Sequence, residues 1–464
     1  MAKSKVSFSC SECGWQTPKW VGQCRQCGAW GSISEDASPT SRSQVAVPSV
    51  PAVPIGSVDA RAATRRSTGV GELDRVLGGG IVPGAVVLLA GEPGVGKSTL
   101  LLDVAAKAAK FARDFGAGPV LYLTGEESAS QVRLRATRIG ALDDALLLAA
   151  ENDLGRALGH IAQHEPSLVV ADSVQTFADS SVEGAPGGVA QVRQVAASFI
   201  AVAKTHNIPV LLVGHVTKDG GIAGPRVLEH LVDVVCNFEG DRHARLRLLR
   251  AVKNRYGPTD EVGCFELNDH GIVGLADPSG LFLSQSEGGV PGTCITVSLE
   301  GRRPMPTEVQ ALVATNSLGG SPRRTTSGVD YSRTAMILAV CAARLGLDFG
   351  SRDVYVATVG GAKTSEPAVD LPVALAIISA AADRSIRPGL VAFGEVSLTG
   401  ELRATVGLAR RLSEAARLGF EVALVPHQGA EDVRAPQGIT LLPVRNLTEA
   451  ARAALVANTE AGSP

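Results

Sequence analysis

The chain has 464 residues, with 44 Lys and Arg against 46 Asp and Glu, and a formal net charge of −2. That balance excludes a globally basic surface, so any nucleic acid must be held by local patches. No apolar run reaches the roughly 18 residues of a membrane span, and Met1-Ala2-Lys3-Ser4-Lys5 leads into Ser and Cys rather than an apolar signal core; the expectation is a cytoplasmic globular protein without a membrane partner, built of about three domains.

The first unit is expected over residues 1–33. It carries Cys10-x-x-Cys13, a ten-residue gap, and Cys24-x-x-Cys27. Glycines follow the second Cys of each pair, as Cys13-Gly14-Trp15 and Cys27-Gly28-Ala29-Trp30. They let the backbone turn so that its amides face the sulfurs. Four thiolates suit a closed, structural Zn²⁺ site with no position left for catalysis. The three tryptophans, Trp15, Trp20 and Trp30, are expected to shield a metal-held core, with base stacking as the alternative. Residues 34–66 read as a flexible linker, rich in Ser, Pro, Ala and Val. The remaining cysteines, Cys236, Cys264, Cys294 and Cys341, are scattered and read as small hydrophobes in a reducing compartment.

Residues 67–277 alternate apolar strands with helical stretches, the pattern of a parallel sheet with helices on its faces. Strands are expected at Ala85–Ala90, Val120–Thr124, Ala145–Ala149, Ser167–Ala171, Val210–Gly214 and Val232–Phe238, with helices such as Ser128–Ile139, Leu154–His164 and Val189–His206 between them. After the first strand comes Gly91-Glu92-Pro93-Gly94-Val95-Gly96-Lys97-Ser98-Thr99, which is G-x-x-x-x-G-K-[ST]. Its glycines allow loop amides to wrap a phosphate at a helix N-terminus, so ATP or GTP is the expected ligand. Lys97 is assigned to the β- and γ-phosphates and the Ser98 hydroxyl to Mg²⁺.

Ligands of such sheets lie at the carboxyl ends of the strands. Thr124-Gly125-Glu126-Glu127 ends one strand there, and Glu126 is assigned to the attacking water, Glu127 to the next helix's first turn. Leu168-Val169-Val170-Ala171-Asp172 places Asp172 as the Walker B partner of Mg²⁺. Leu211-Leu212-Val213-Gly214-His215 offers His215 as a sensor of the γ-phosphate. Two glycine-bearing loops, 179–189 and 218–225, leave the same edge and are candidates for ligand-coupled motion; Lys218 stands on the second. Lys253-Asn254-Arg255-Tyr256-Gly257 sets two cations on a turn. In a ring they would meet the γ-phosphate of a neighbouring subunit, Arg255 as an arginine finger with Lys253 beside it.

The four-Cys module, Ser67-Thr68-Gly69-Val70-Gly71-Glu72-Leu73-Asp74 with Gly78-Gly79-Gly80, the P-loop and the Lys253–Gly257 pentapeptide together resemble the bacterial RadA/Sms family. Its pentapeptide usually has Phe where this chain has Tyr256. The resemblance implies a RecA-type ATPase core with ATP, Mg²⁺ and Zn²⁺ as cofactors. It also implies homo-hexameric rings, DNA-stimulated hydrolysis, and helicase-like movement on single-stranded and branched DNA that drives branch migration. The RecA recombinase is a candidate partner.

The last unit, 278–464, is expected to be α/β, with β-like runs at Thr293–Glu300, Glu308–Ala314 and Val354–Ala357 and helices at Arg333–Leu345 and Leu371–Ala382. Gly394-Glu395-Val396-Ser397-Leu398-Thr399-Gly400 resembles a motif of Lon-type protease domains. Where active proteases of that type carry Ser and Lys, this chain reads Ala368 and Ala409, so no nucleophile or base remains. Arg302-Arg303 and Arg323-Arg324 are local basic pairs that a ring would repeat around a channel for DNA. The sequence thus reads as a DNA-dependent ATPase. A protein-binding regulatory ATPase with the same core, or an ATP-dependent protease, are the competing classes.

Overall fold

The computed structural model describes residues 8–13, 15–35, 52–57, 63–215, 227–240, 245–269, 271–284, 289–316 and 320–456. The chain divides into two compact units, residues 1–60 and 61–464.

The first unit is a three-stranded antiparallel sheet of β1 (Phe8–Cys10), β2 (Gln16–Thr17) and β3 (Ile33–Glu35), in the order β2-β1-β3. Its apolar core is Cys10, Cys24 and Ile33 with Phe8, Trp15 and Val21 packed against them. A core of that size does not hold a fold without a staple. Trp15 alone of the tryptophans joins it; Trp20 and Trp30 are 63% and 77% exposed. Most of the expected linker lies outside the described residues. Within it, Ile55–Ser57 forms a single exposed 3-10 turn.

The second unit opens with α1 (Gly71–Leu77), then β4 (Val86–Gly91), α2 (Lys97–Phe115), β5 (Val120–Thr124), α3 (Ala129–Arg138), β6 (Leu146–Ala150), α4 (Leu154–His164), β7 (Leu168–Asp172), α5 (Val189–His206), β8 (Val210–His215) and β9 (Val234–Glu239). Strands β10 (Leu246–Asn254), β11 (Val262–Asn268) and β12 (Gly271–Gly274) follow. They make one nine-stranded sheet in the order β12-β11-β10-β9-β4-β8-β7-β5-β6. The six strands from β9 to β6 are parallel, as their unbroken apolar runs require: β4, β5 and β7 are buried along their whole length because helices cover both faces. The strands β10 to β12 extend this sheet antiparallel.

Beyond α6 (Ser279–Phe282), a second sheet is built from β13 (Thr293–Glu300), β14 (Arg303–Thr315), β15 (Arg324–Ser327), β16 (Arg352–Thr358), β17 (Leu390–Ala392), β20 (Val422–Pro426) and β21 (Thr440–Val444). Helix α7 (Tyr331–Leu345) lies between β15 and β16; α8 (Asp370–Ala382) follows β16; a short hairpin, β18 (Glu395–Val396) and β19 (Leu402–Arg403), and α9 (Leu408–Arg417) follow β17; α10 (Leu447–Ala454) closes the fold. The order is β15-β16-β14-β13-β17-β20-β21. Helix α8 is buried from Asp370 to Ser379, because its sequence is apolar on every side.

The two sheets are joined by charge pairs within the same compact unit. Arg303, 4% exposed, pairs with Glu72 of α1 and donates from Nη2 to the carbonyls of Leu275 (3.0 Å) and Ala276 (2.9 Å). Glu72, 5% exposed, also accepts from the backbone N–H of Cys264 at 2.8 Å. Arg250–Glu300 and Arg417–Asp277 cross the same junction at 2.6 and 2.8 Å. Arg303 was expected to face DNA; its guanidinium is instead spent inside the protein, where burial demands that every N–H find an acceptor. Truncating one partner of a buried pair strands the other charge, so Arg303→Ala is expected to lower stability by about 3 kcal/mol, read as a fall in the urea-denaturation midpoint.

Candidate functional site

In the first unit, Cys10, Cys13, Cys24 and Cys27 bring their sulfurs within 4.8 Å of one another. The Sγ–Sγ separations are 3.7 Å for Cys10–Cys27 and 3.6 Å for Cys13–Cys24. A Zn–S bond of about 2.3 Å implies tetrahedral edges of about 3.8 Å, so the cage fits Zn²⁺. Gly28 adopts φ +74° and donates its N–H to the Cys24 carbonyl at 2.9 Å, which closes the second knuckle as expected; Gly14 lies outside the described residues. Ser32 Oγ stands 3.2 Å from Cys10 Sγ, beside the first shell of ligands. The four other cysteines are buried, and none joins a ligand cluster among the described residues; burial pushes the thiols of Cys236 and Cys341 up to about 12 and that of Cys264 up to about 11. Native mass spectrometry is expected to find one zinc per chain and none in Cys24→Ser, with nucleotide binding by the second unit retained.

In the second unit, β4 runs into the P-loop and α2 begins at Lys97. Helix α2 has no side-chain cap: its N-cap is Gly96 at φ +104°, so its first amides remain available to an anion. A Cβ at Gly96 would lie 2.1 Å from Ile272 Cδ1, and one at Gly91 would lie 2.4 Å from the Phe238 carbonyl oxygen. The loop therefore cannot close with larger residues at these positions. Lys97 is 3% exposed and donates from Nζ to the carbonyls of Gly91 (2.8 Å) and Glu92 (2.9 Å). Burial pulls its pKa down to about 8, against the opposing charges of Asp172 and Glu126. The loop also borders a cavity of about 840 Å³ whose walls include Val95, Phe238, Arg250 and Lys363.

The carboxyl ends of β5, β7 and β8 converge on this lysine. Glu126, Asp172 and His215 bring ligand atoms within 4.8 Å of one another. His215 Nε2 lies 3.2 Å from Glu126 Oε2. Asp172 is 4% exposed, and its Oδ2 accepts from the Tyr122 hydroxyl at 2.7 Å. Among the described residues, Asp172 Oδ1, Ser173 Oγ, Gln175 Oε1 and His215 Nδ1 are buried with no hydrogen-bond partner. Buried polar atoms are ordinarily satisfied, so this cluster is shaped for a ligand, and its oxygen-rich donors suit Mg²⁺. Glu127 precedes Ser128, which caps α3 in a capping box with Gln131; Glu127 is therefore outside the first turn and pairs with Arg135 instead. Lys218 lies outside the described residues.

The turn after β10 is held by its own chain. Lys253 Nζ donates to the carbonyls of Glu229 (2.7 Å) and Val232 (2.8 Å). Arg255, 53% exposed at its side chain, rests 3.1 Å from Asp233 Oδ1, and Lys204 holds Asp233 Oδ2 at 2.6 Å. Of the arginine pairs, Arg302 sits near Asp260 and Glu261, Arg303 is buried, and Arg324 donates to the carbonyls of Arg323, Phe349 and Arg352; Arg323 is exposed. Near the positions aligned with the Lon-type motif, Arg411 clasps Glu366 with two bonds of 2.7 and 2.6 Å, and Ala368 is buried. Sequence reasoning passed over Tyr122 and Asp233. The only signals were a hydroxyl inside the apolar run Val120–Thr124 and an acid at the start of β9.

Three family models match parts of the chain. An AAA domain covers residues 65–221, a rubredoxin metal binding domain covers 8–35, and subunit ChlI of Mg-chelatase covers 334–429. Among curated proteins, the chain is 52% identical over 464 residues to "DNA repair protein RadA" of Mycolicibacterium smegmatis, covering 97% of each chain. It is 53% identical over 433 residues to that of Mycobacterium tuberculosis H37Rv, covering 92% of this chain and 89% of the relative. It is 43% identical over 462 residues to that of Bacillus subtilis, covering 98% of this chain and all of the relative. At that identity over nearly the whole of each chain, the chain belongs to the RadA family.

Proposed function

We propose that the chain is a DNA-stimulated ATPase of recombinational repair, which moves on single-stranded DNA and promotes branch migration as a hexameric ring. The observation that carries this reading is the buried Lys97 with Asp172, whose Oδ1 has no partner among the described residues, and the Glu126–His215 pair. The repair role rests on the relatives named DNA repair protein RadA.

In this mechanism Lys97 turns from the Gly91 and Glu92 carbonyls to the β- and γ-phosphates of ATP, where the low dielectric of its buried site strengthens the attraction between its charge and theirs. Ser98 and Asp172 are the residues that would hold Mg²⁺, which when bound neutralises charge on the phosphate oxygens. Glu126, about half exposed, accepts a hydrogen bond from the attacking water and orients it in line. His215 holds Glu126 and ends β8, so a change at the γ-phosphate reaches the segment that begins at residue 216 and contains Lys218. Arg255, half exposed on its turn, is the group offered to a neighbouring subunit, with Lys253 fixing the turn beneath it. Arg323, exposed beside β15, is retained as a DNA contact. Ala368 and Ala409 supply no nucleophile or base, so the second sheet acts as a scaffold.

Lys97→Ala is expected to abolish DNA-stimulated hydrolysis; turnover retained in that variant overturns the assignment. The pKa near 8 has a sign. Above it the free lysine is neutral, while bound phosphate favours the charged form. ADP binding above pH 8 is therefore expected to take up a proton, and affinity is expected to fall as pH rises. Calorimetry in buffers of different ionisation enthalpy measures both. For the ring, mixing Lys97→Ala with Arg255→Ala chains should restore part of the activity that each lacks, because some interfaces then combine an intact P-loop with an intact finger.

A further inference from the structure

We infer that Tyr122 is a positioning residue for the divalent-cation side of the nucleotide site, pinning one oxygen of Asp172 so that the other is left to the ligand. The two residues lie on adjacent parallel strands. Thr124 is the register partner of Asp172, so Tyr122 sits two residues back from the carboxyl edge and its phenol reaches up along the sheet. The ring is 1% exposed, and its hydroxyl donates to Asp172 Oδ2 at 2.7 Å. A phenol O–H that faces a carboxylate oxygen at this distance is the donor of the pair.

A carboxylate with both oxygens free can turn about its last bond and fold toward Lys97, whose charge it already feels. One short bond from a ring locked in the core removes that freedom. What remains is Oδ1, buried and without a hydrogen-bond partner among the described residues. Were the phenol only filling space, Phe would serve in the apolar cluster it shares with Leu102, Val132 and Val170, with no hydroxyl to satisfy. Outer partners that orient a ligating group commonly change metal affinity without touching the metal.

This inference rests on the nucleotide reading above. Tyr122→Phe keeps the ring and removes the donor. Mn²⁺ is titrated into the full chain with ADP, and free Mn²⁺ is followed by electron paramagnetic resonance. Tyr122→Phe is expected to weaken ADP-dependent Mn²⁺ binding about tenfold, while metal-free ADP binding stays as in the parent. In an Asp172→Asn background the same change should add nothing, because the two residues act through one bond. Parental Mn²⁺ affinity in Tyr122→Phe overturns the inference. So does a full additional loss in the Asp172→Asn background, or an equal loss of metal-free ADP binding, which would mark Tyr122 as a packing residue. If the parent binds ADP without any coupled Mn²⁺ uptake, the cation reading of Asp172 itself fails and this inference falls with it.

Discussion

A lysine and a carboxylate are kept out of water at the carboxyl edge of one parallel sheet, and much of the second unit serves that constraint. Lys97 and Asp172 are 3% and 4% exposed. Neither could be buried alone, because an unpaired charge in the interior costs several kcal/mol. Each is held by short-range partners: two loop carbonyls for Lys97, the Tyr122 hydroxyl for Asp172. Those partners exist only because β4, β5 and β7 are buried along their length and packed on α2, which brings residues 91, 122 and 172 to one place. The result is a site whose charges are set in advance, so that little reorganisation is needed when phosphate arrives.

The same logic governs the junction between the two sheets. Arg303 and Glu72 are buried together, and each also satisfies backbone groups that would otherwise be stranded. Such a pair adds little net stability compared with apolar residues, yet it tolerates only one arrangement of donors and acceptors. Glu72 belongs to α1, whose neighbour Asp74 accepts from the Thr68 N–H at 2.8 Å and so fixes the segment that precedes the P-loop strand. The start of β13–β14 is thereby tied to the entrance of the nucleotide sheet. The ChlI-like fold of the second sheet keeps a related use of charge: a bidentate Arg411–Glu366 pair stands close to positions where active Lon-type sites carry their nucleophile and base.

The first unit solves a different problem. Three buried residues and three packed against them cannot offset the entropy of ordering some thirty residues. Four sulfurs at tetrahedral separations supply what the core lacks. Trp20 and Trp30, standing on either side of Gly22, take no part in that core.

The elements that depend on local pattern were legible in the sequence by itself. Unbroken apolar runs placed the parallel strands to within two residues, and β5, α4, α5 and β13 match their expected spans. Motif spacing identified the P-loop, Asp172 and the four cysteines, because a phosphate cradle and a thiolate cage require particular residues at particular separations. What sequence could not decide was which charges face water. Arg302-Arg303 reads as one basic pair, yet the first stays at the surface among acids and the second enters the interior, because Arg302 lies in the turn after β13 while Arg303 is the first residue of β14, paired with Glu300. Tyr122 and Asp233 were invisible for the converse reason. Each owes its role to partners 50 and 29 residues away, Asp172 and Lys204, and only the packing of neighbouring strands and helices brings those groups within a hydrogen bond.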